Sequence, residues 1–306
     1  MVEYSLSDIV SSPVAEGVRF QLGATTTIAV RRESKDLALR IRRERHPVRR
    51  ALRRVPFLSG MTRLIGSVAG FMDALSESAE LEPQRVIAQS RVARRFCELF
   101  RVHPLTLAAM GNGVLIVLLL LALGLAFPMA VERLLIPELM LTRLQSNILV
   151  CATRVGGLLI AMAIIPHLKV MKRLCMYRGA INKVLNAYGE SGRHITADAA
   201  QSASIVCRQS DAAFVASVIL TSVIVFACVR TYTLPVQLVV RLLIVLLVAG
   251  VLNEPIRLLE DASPESSAYN LLAPQMLLER LFVAEPHRQM LAVAVYAFNA
   301  ARENDY

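Results

Sequence analysis

The sequence predicts a mainly α protein: a four-helix transmembrane bundle with cytoplasmic amphipathic helices and a small N-terminal β-hairpin element. Three observations carry that prediction. Four long apolar runs occupy the middle of the chain, at Leu105–Pro128, Leu144–Pro166, Ala212–Val229 and Val236–Leu252. Lysine and arginine avoid one side of those runs. Near the N-terminus the pattern changes to a period-two alternation of apolar and polar residues, the signature of a half-buried strand.

The chain has 306 residues, of which 55% are hydrophobic, and a mean hydropathy of +0.51. Those values are ordinary for a polytopic membrane protein and high for a water-soluble one. The first run carries no Asp, Glu, Lys or Arg between Arg101 and Glu132. About 20 apolar residues in a helix match the hydrocarbon thickness of a bilayer, and a helix satisfies its own backbone hydrogen bonds where lipid cannot. Of the 34 Lys and Arg, 18 lie in residues 1–104 and 7 in residues 169–211. By the positive-inside rule, both termini and the loop between runs two and three face the cytoplasm. The expected location is therefore the cytoplasmic (inner) membrane, multi-pass, with anionic lipid at the cytoplasmic face as a partner.

Residues 1–54 are expected to form a cytoplasmic β element and a basic segment. Thr25–Val30 is rich in β-branched residues, Asp36–Arg43 alternates apolar and polar, and Glu33-Ser34-Lys35 suits the turn between them. An isolated hairpin is marginal, so this one is expected to pack on, or pair with, further chain. Residues 55–104 read as interfacial or re-entrant amphipathic helices. In the segment 57–80, Gly66 and Gly70 form a small-xxx-small pattern, while Arg63 and Asp73 make it too polar for a plain span. Residues 84–102 form a basic amphipathic helix that suits either anionic headgroups or a cytoplasmic domain. Residues 105–253 form the four-span region with its cytoplasmic loop 169–211. Residues 254–306 give cytoplasmic C-terminal helices, one after Pro274, a break at Glu285-Pro286, and a last helix over 289–302.

Membrane orientation accounts for the net charge of +10, so nucleic acid is not an expected partner. No secretory leader is visible before the first run. The five cysteines show no paired spacing, and no disulfide is expected in a reducing cytoplasm. Among the polar residues inside the runs, Asn112, Asn147 and Arg154 are the candidates for an intramembrane polar site, whereas Arg241 lies close enough to the outer end of run four to snorkel. An arginine at the depth of Arg154 costs at least about 2.5–3.5 kcal/mol and needs partners. Two readings stand for it, an intramembrane polar site and a hydrogen-bonded clamp between helices.

The loop between runs two and three reads Tyr177-Arg178-Gly179-Ala180-Ile181-Asn182-Lys183-Val184-Leu185-Asn186-Ala187-Tyr188. It resembles the YqhQ-like family, bacterial membrane proteins of unknown function once labelled predicted metal-dependent enzymes. There the segment reads Phe-His-Gly-Ala-Glu-His-Lys-Val-Ile-Asn-Ala-Tyr, and a second motif, His-Pro-Arg-Cys-Gly-Thr-Ser-Phe, precedes the third span. The resemblance extends over most of the chain, through Val14-Ala15-Glu16-Gly17-Val18, Val55-Pro56-Phe57-Leu58-Ser59-Gly60, Leu271-Leu272-Ala273-Pro274 and Glu285-Pro286. Where the family has His, Glu and His, this chain has Arg178, Ile181 and Asn182. Where it has His and Cys, this chain has Cys207 and Ser210. A metal needs several converging His, Cys or carboxylate ligands, so the resemblance with these departures implies no metal and no cofactor here.

The candidate loop site is Arg178, Asn182, Lys183, Asn186 and Cys207, with Glu16, Glu254 and Arg257 as candidate neighbours. Lys183 and Asn186 lie three apart on one helical face, which suits either a bound phosphate or carboxylate or a packed helix start with a solvated lysine. Three functions follow. The first is a non-catalytic scaffold or partner-binding protein, with a protein partner or a second copy of itself, that has lost its family's metal ligands. The second is a membrane-face enzyme with an altered site, which would require Lys183, Cys207 and Glu254 in one cleft. The third is a small transporter built around Arg154.

Overall fold

A computed structural model describes residues 9–14, 16–31, 36–43, 55–81, 130–131, 142–191, 194–228, 234–260 and 271–304. Asn112, the first apolar run, the basic helix at 84–102 and the 33–35 turn lie outside the described residues. The described chain is mainly helical with a small N-terminal antiparallel sheet.

Strands β1 (Val10–Val14), β2 (Gly17–Leu22), β3 (Thr25–Arg31) and β4 (Leu37–Arg43) form a meander in sequence order. The expected hairpin is the β3–β4 pair, with Thr27 opposite Ile41 and Ala29 opposite Leu39. It does pair with further chain, because β2 adds on its other side. One sheet face, with Val18, Phe20, Leu22 and Ala29, joins the main core; the other buries Val14, Ile28 and Val30.

Helix α1 (Leu58–Leu81) packs on β1 and on the later apolar helices. Helix α2 (Arg143–Ile164) opens with a capping box, in which Thr142 and Gln145 satisfy each other's backbone N–H. A single 3-10 turn at Ile165–His167, carrying Pro166, leads from it to α3 (Lys169–Ser191). The expected loop 169–211 is therefore mostly helix. Its apolar residues Tyr177, Ile181, Val184 and Tyr188 recur at spacings of four, three and four, which puts them on one face against the sheet. The short α4 (Ala197–Ser202), with Thr196 as its cap, precedes α5 (Asp211–Cys228) and α6 (Leu234–Glu260). Two helices, α7 (Ala273–Phe282) and α8 (Arg288–Glu303), end the described chain, close to the bounds the sequence predicts.

These elements form two regions. In the lobe, α8 lies across β2 and β3 and against α3. Phe298 meets Phe20 edge-on at 5.3 Å between ring centres and Tyr188 at 5.1 Å, a geometry that aromatic pairs favour. In the second region, α1, α2, α5, α6 and α7 form a layer of apolar helices around two smaller cores. Among the described residues, two helices are long and apolar enough to cross a membrane, at Ile148–His167 and Val239–Leu259; protein buries only 17% of the first window and 28% of the second. The core helix of a water-soluble protein would be mostly enclosed. The third described run forms α5, a shorter apolar helix.

Candidate functional site

The α3 residues predicted as a site do share one face of that helix. Opposite them lie the irregular segment after α4 and Glu279, in the second half of α7. Arg178 donates from Nε to Glu279 Oε1 at 3.0 Å and from its terminal nitrogen to Ser210 Oγ at 2.7 Å. Asn182 donates to the same Glu279 oxygen at 2.7 Å and to the Ile205 carbonyl at 2.9 Å. Ser210 donates to the other carboxylate oxygen and accepts from the Ala213 backbone N–H at 3.0 Å, at the start of α5. Glu279 is 0% exposed. A carboxylate that deep needs a counter-charge and donors, and it has one arginine, one amide and one hydroxyl.

Lys183 and Asn186 point at the same segment from one turn further along. The Lys183 ammonium donates to the Gln201 carbonyl at 2.9 Å and pairs with Glu285 at 2.6 Å; its side chain is 8% exposed, so it is not a solvated lysine. Asn186 donates to the carbonyls of Ser204 and Val206 at 2.8 and 2.9 Å. Together these side chains fasten residues 201–206 to α3 through carbonyls that no helix or strand satisfies. Cys207 is buried in the core beside them, and Ile181 packs in that core as well. At Gly179 the chain entering α8 crosses α3 so closely that a Cβ would lie 2.2 Å from the Ala284 carbonyl oxygen. The Ala284 N–H donates to the Cys175 backbone carbonyl at 3.1 Å. Burial pushes the Cys175 thiol up to about 11; the Arg178 cation opposes the rise and the Glu279 charge adds to it.

The predicted neighbours fall elsewhere. Glu16, at φ 61 in the β1–β2 turn, pairs with Arg173 at 2.7 Å and accepts from the Tyr177 hydroxyl at 3.4 Å, tying the sheet to α3. Burial raises the Tyr177 hydroxyl above its ordinary value, and the nearby Glu16 charge raises it further. Glu254 accepts from Ser59 Oγ at 2.7 Å and from the Phe57 N–H at 3.3 Å. This second cluster continues through Asn253, which donates to Ser59 Oγ at 2.9 Å, to Arg63, which pairs with Asp211 at 3.0 Å. It joins α1 to α5 and α6, with Phe57 held at φ 72, a left-handed conformation rare for a bulky residue. Arg257 is exposed near the end of α6. The cleft required for an enzyme built on Lys183, Cys207 and Glu254 is thus divided: Lys183 and Glu254 belong to different clusters. Arg154 lies half-buried within α2, and Asn147 lies two turns before it on the same helix.

Sequence reasoning missed Glu279 as the hub. Its signal was an acid in the otherwise apolar run Met276-Leu277-Leu278-Glu279, and an arginine at 178 that needs a counter-charge. Among the described residues, no three His, Cys, Asp or Glu side chains are grouped to hold a metal ion.

A family model described as a protein of unknown function (DUF1385) matches residues 55–304. The chain is 25% identical over 293 residues to the uncharacterized protein YqhQ of Bacillus subtilis (strain 168), covering 94% of this chain and 89% of that one. No solved structure matches it.

Proposed function

We propose the following reading of a chain that belongs to the DUF1385 family of proteins of unknown function: it is a multi-pass protein of the cytoplasmic membrane whose lobe is a non-catalytic scaffold or partner-binding module. Its apolar helices cross the bilayer, its termini and lobe face the cytoplasm, and its basic residues meet anionic headgroups there. The exposed apolar faces of α2 and α6 support insertion, since Ile148, Ile160, Val239, Leu242, Leu243 and Leu247 would otherwise face water.

The observation that carries the non-catalytic reading is the closed cluster at Glu279. The resemblance to the YqhQ-like family aligns His, His and Cys with positions 178, 182 and 210. In this chain Arg178, Asn182 and Ser210 converge on one carboxylate and bond to each other. The Arg178 guanidinium supplies from within the chain the positive charge that a buried acid requires. A residue used in this way is not available to bind or activate a substrate. Elemental analysis of the purified full-length protein tests this reading: zinc and iron well below one per chain are expected, and one equivalent that is lost on Glu279→Gln would overturn it. Labelling of cysteines placed at Glu138 and His194 tests the topology, with position 194 protected from an external reagent.

A further inference from the structure

We propose that α7, which the sequence predicts as a cytoplasmic helix, is embedded in the membrane, and that its exposed leucine face docks on the acyl chains of the cytoplasmic leaflet. The inference rests on the reading that α2 and α6 span the bilayer.

Two faces of α7 are accounted for by the protein. Leu278, with Leu281 and Phe282, packs on Leu158 and Met162 of α2 and on Ala216, Leu220 and Val223 of α5. Glu279 enters the polar cluster with Arg178. The level of the apolar contact fixes the depth of the helix. Leu158 lies within the apolar window Ile148–His167, six residues before the end of α2, which is about 9 Å along the helix. Leu220 lies nine residues beyond Asp211, about 13 Å along α5. A helix whose Leu278 sits beside those residues, and whose Glu279 is bonded to Ser210 next to Asp211, lies at the cytoplasmic margin of a hydrocarbon layer of about 30 Å, not above it.

The remaining face is apolar and outward. Leu277 is 63% exposed, and Leu271, just before the helix, is 69% exposed. Ala273 and Pro274 are exposed one turn from Leu277 on the same side. Arg280, exposed in the last turn, has a stem long enough to carry its charge up to the headgroups. The α2 helix, against which α7 packs, also exposes Leu159, Ile160 and Ile164. Lipid is the one occupant that meets the outward leucines of both a spanning helix and the helix packed on it.

The chain contains no tryptophan, so a single introduced indole reports its own surroundings. Leu277→Trp, Leu247→Trp on α6 and Tyr296→Trp on α8 are compared in full-length protein. The vesicles are phosphatidylcholine with phosphatidylglycerol, with and without brominated acyl chains. The indoles at 277 and 247 are expected to lose most of their emission to bromine, while that at 296 keeps its emission and is quenched by aqueous iodide. Quenching at 247 without quenching at 277 would overturn the inference and leave the spans standing. It would mean that water, a second copy of the chain or the run at Leu105–Pro128 covers the face. No bromine quenching at either position would remove the spanning reading and this inference with it. Leu271→Trp gives the same readout should the substitution at 277 prevent folding.

Discussion

Two polar clusters hold this molecule together, and their surroundings differ. Where the lobe meets the helix layer, Glu279 of α7 is fully enclosed, and each bond it makes comes from α3 or from the start of α5. In the helix layer, Arg63 and Asp211 remain 17% and 29% exposed, and Arg63 has further partners in Asn253 and in the Phe214 ring, 4.6 Å from its guanidinium. The apolar residues show the reverse arrangement. The lobe hides nearly all of its own and exposes Leu37, Ile41 and Tyr296, whereas α2, α5 and α6 expose a long series from Ile148 to Leu258. The lobe follows the rule for water, with charge inside only when paired. The layer turns its apolar side outward and places its ion pair at the ends of helices, where solvent still helps to carry the charge.

The largest effect should come from breaking the enclosed pair. Glu279→Ala removes the carboxylate that Arg178 and Asn182 share, leaves the buried guanidinium without its counter-charge, and is expected to cost about 3–5 kcal/mol, measured by thermal unfolding or by protease resistance in detergent. Replacing both partners by apolar residues, Arg178→Met with Glu279→Met, should recover most of that loss, because no buried charge is then left alone. Asp211→Ala in the layer is expected to cost about 1 kcal/mol, since its partner keeps other contacts and some water. Equal losses at 279 and 211 would erase the distinction between the two clusters.

Glycines provide the next comparison, in which the two regions should behave alike wherever chains cross. A Cβ at Gly179 in the lobe would lie 2.2 Å from the Ala284 carbonyl oxygen, and one at Gly60 in the layer 2.1 Å from that of Ala249. Backbone cannot yield as a flexible side chain does, so each change to alanine should cost about 1–3 kcal/mol or more. At Gly66 and Gly156 a Cβ would meet nothing within 4 Å. Alanine there should be neutral or stabilise by up to about 1 kcal/mol through helix propensity. A large loss at 66 or 156 would mean that another surface covers those positions, and would show that the outer side of the layer is not free.

Much of this organisation is legible in the sequence, for identifiable reasons. The three described apolar runs coincide with α2, α5 and α6 because length and hydrophobicity alone define them. The β3–β4 pair is visible in its alternation; β1 is not, because Val10-Ser11-Ser12-Pro13-Val14 is short and carries a proline, which an edge strand tolerates. The helix α3 lacks an apolar run and so reads as a loop, although Tyr177, Ile181, Val184 and Tyr188 keep helical spacing. Arg178, Asn182, Lys183 and Asn186 are readable as one face because they lie within a few turns of each other. Their partners are not, since Glu279 stands 101 residues from Arg178 and a single sequence carries no signal of contact at that range. For the same reason Glu16 and Glu254 could be selected as acids but not assigned to their separate clusters.

The smallest effect is a titration confined to the lobe. The Cys175 thiol is raised from 9.0 to about 11, chiefly by burial. The folded state therefore holds this proton more tightly than the unfolded chain does. That preference contributes in full below about pH 9 and is lost as the pH rises through 11. Cys175→Ala removes the titration and leaves a small cavity. The stability gap between the unaltered protein and this variant should be constant from pH 6 to about pH 9 and then narrow. The change across the upper window should be about 2 kcal/mol at most, once residual access of solvent is allowed for. The cluster sets the direction of a further change. Arg178→Met removes the cation that lowers this thiol, so the narrowing should still begin near pH 9 but continue to higher pH; Glu279→Gln removes a charge that raises it, so the narrowing should end at lower pH. A gap that does not vary between pH 9 and 11 would mean that Cys175 is open to water in the folded protein, and the lobe would then lack the enclosure that separates it from the helix layer.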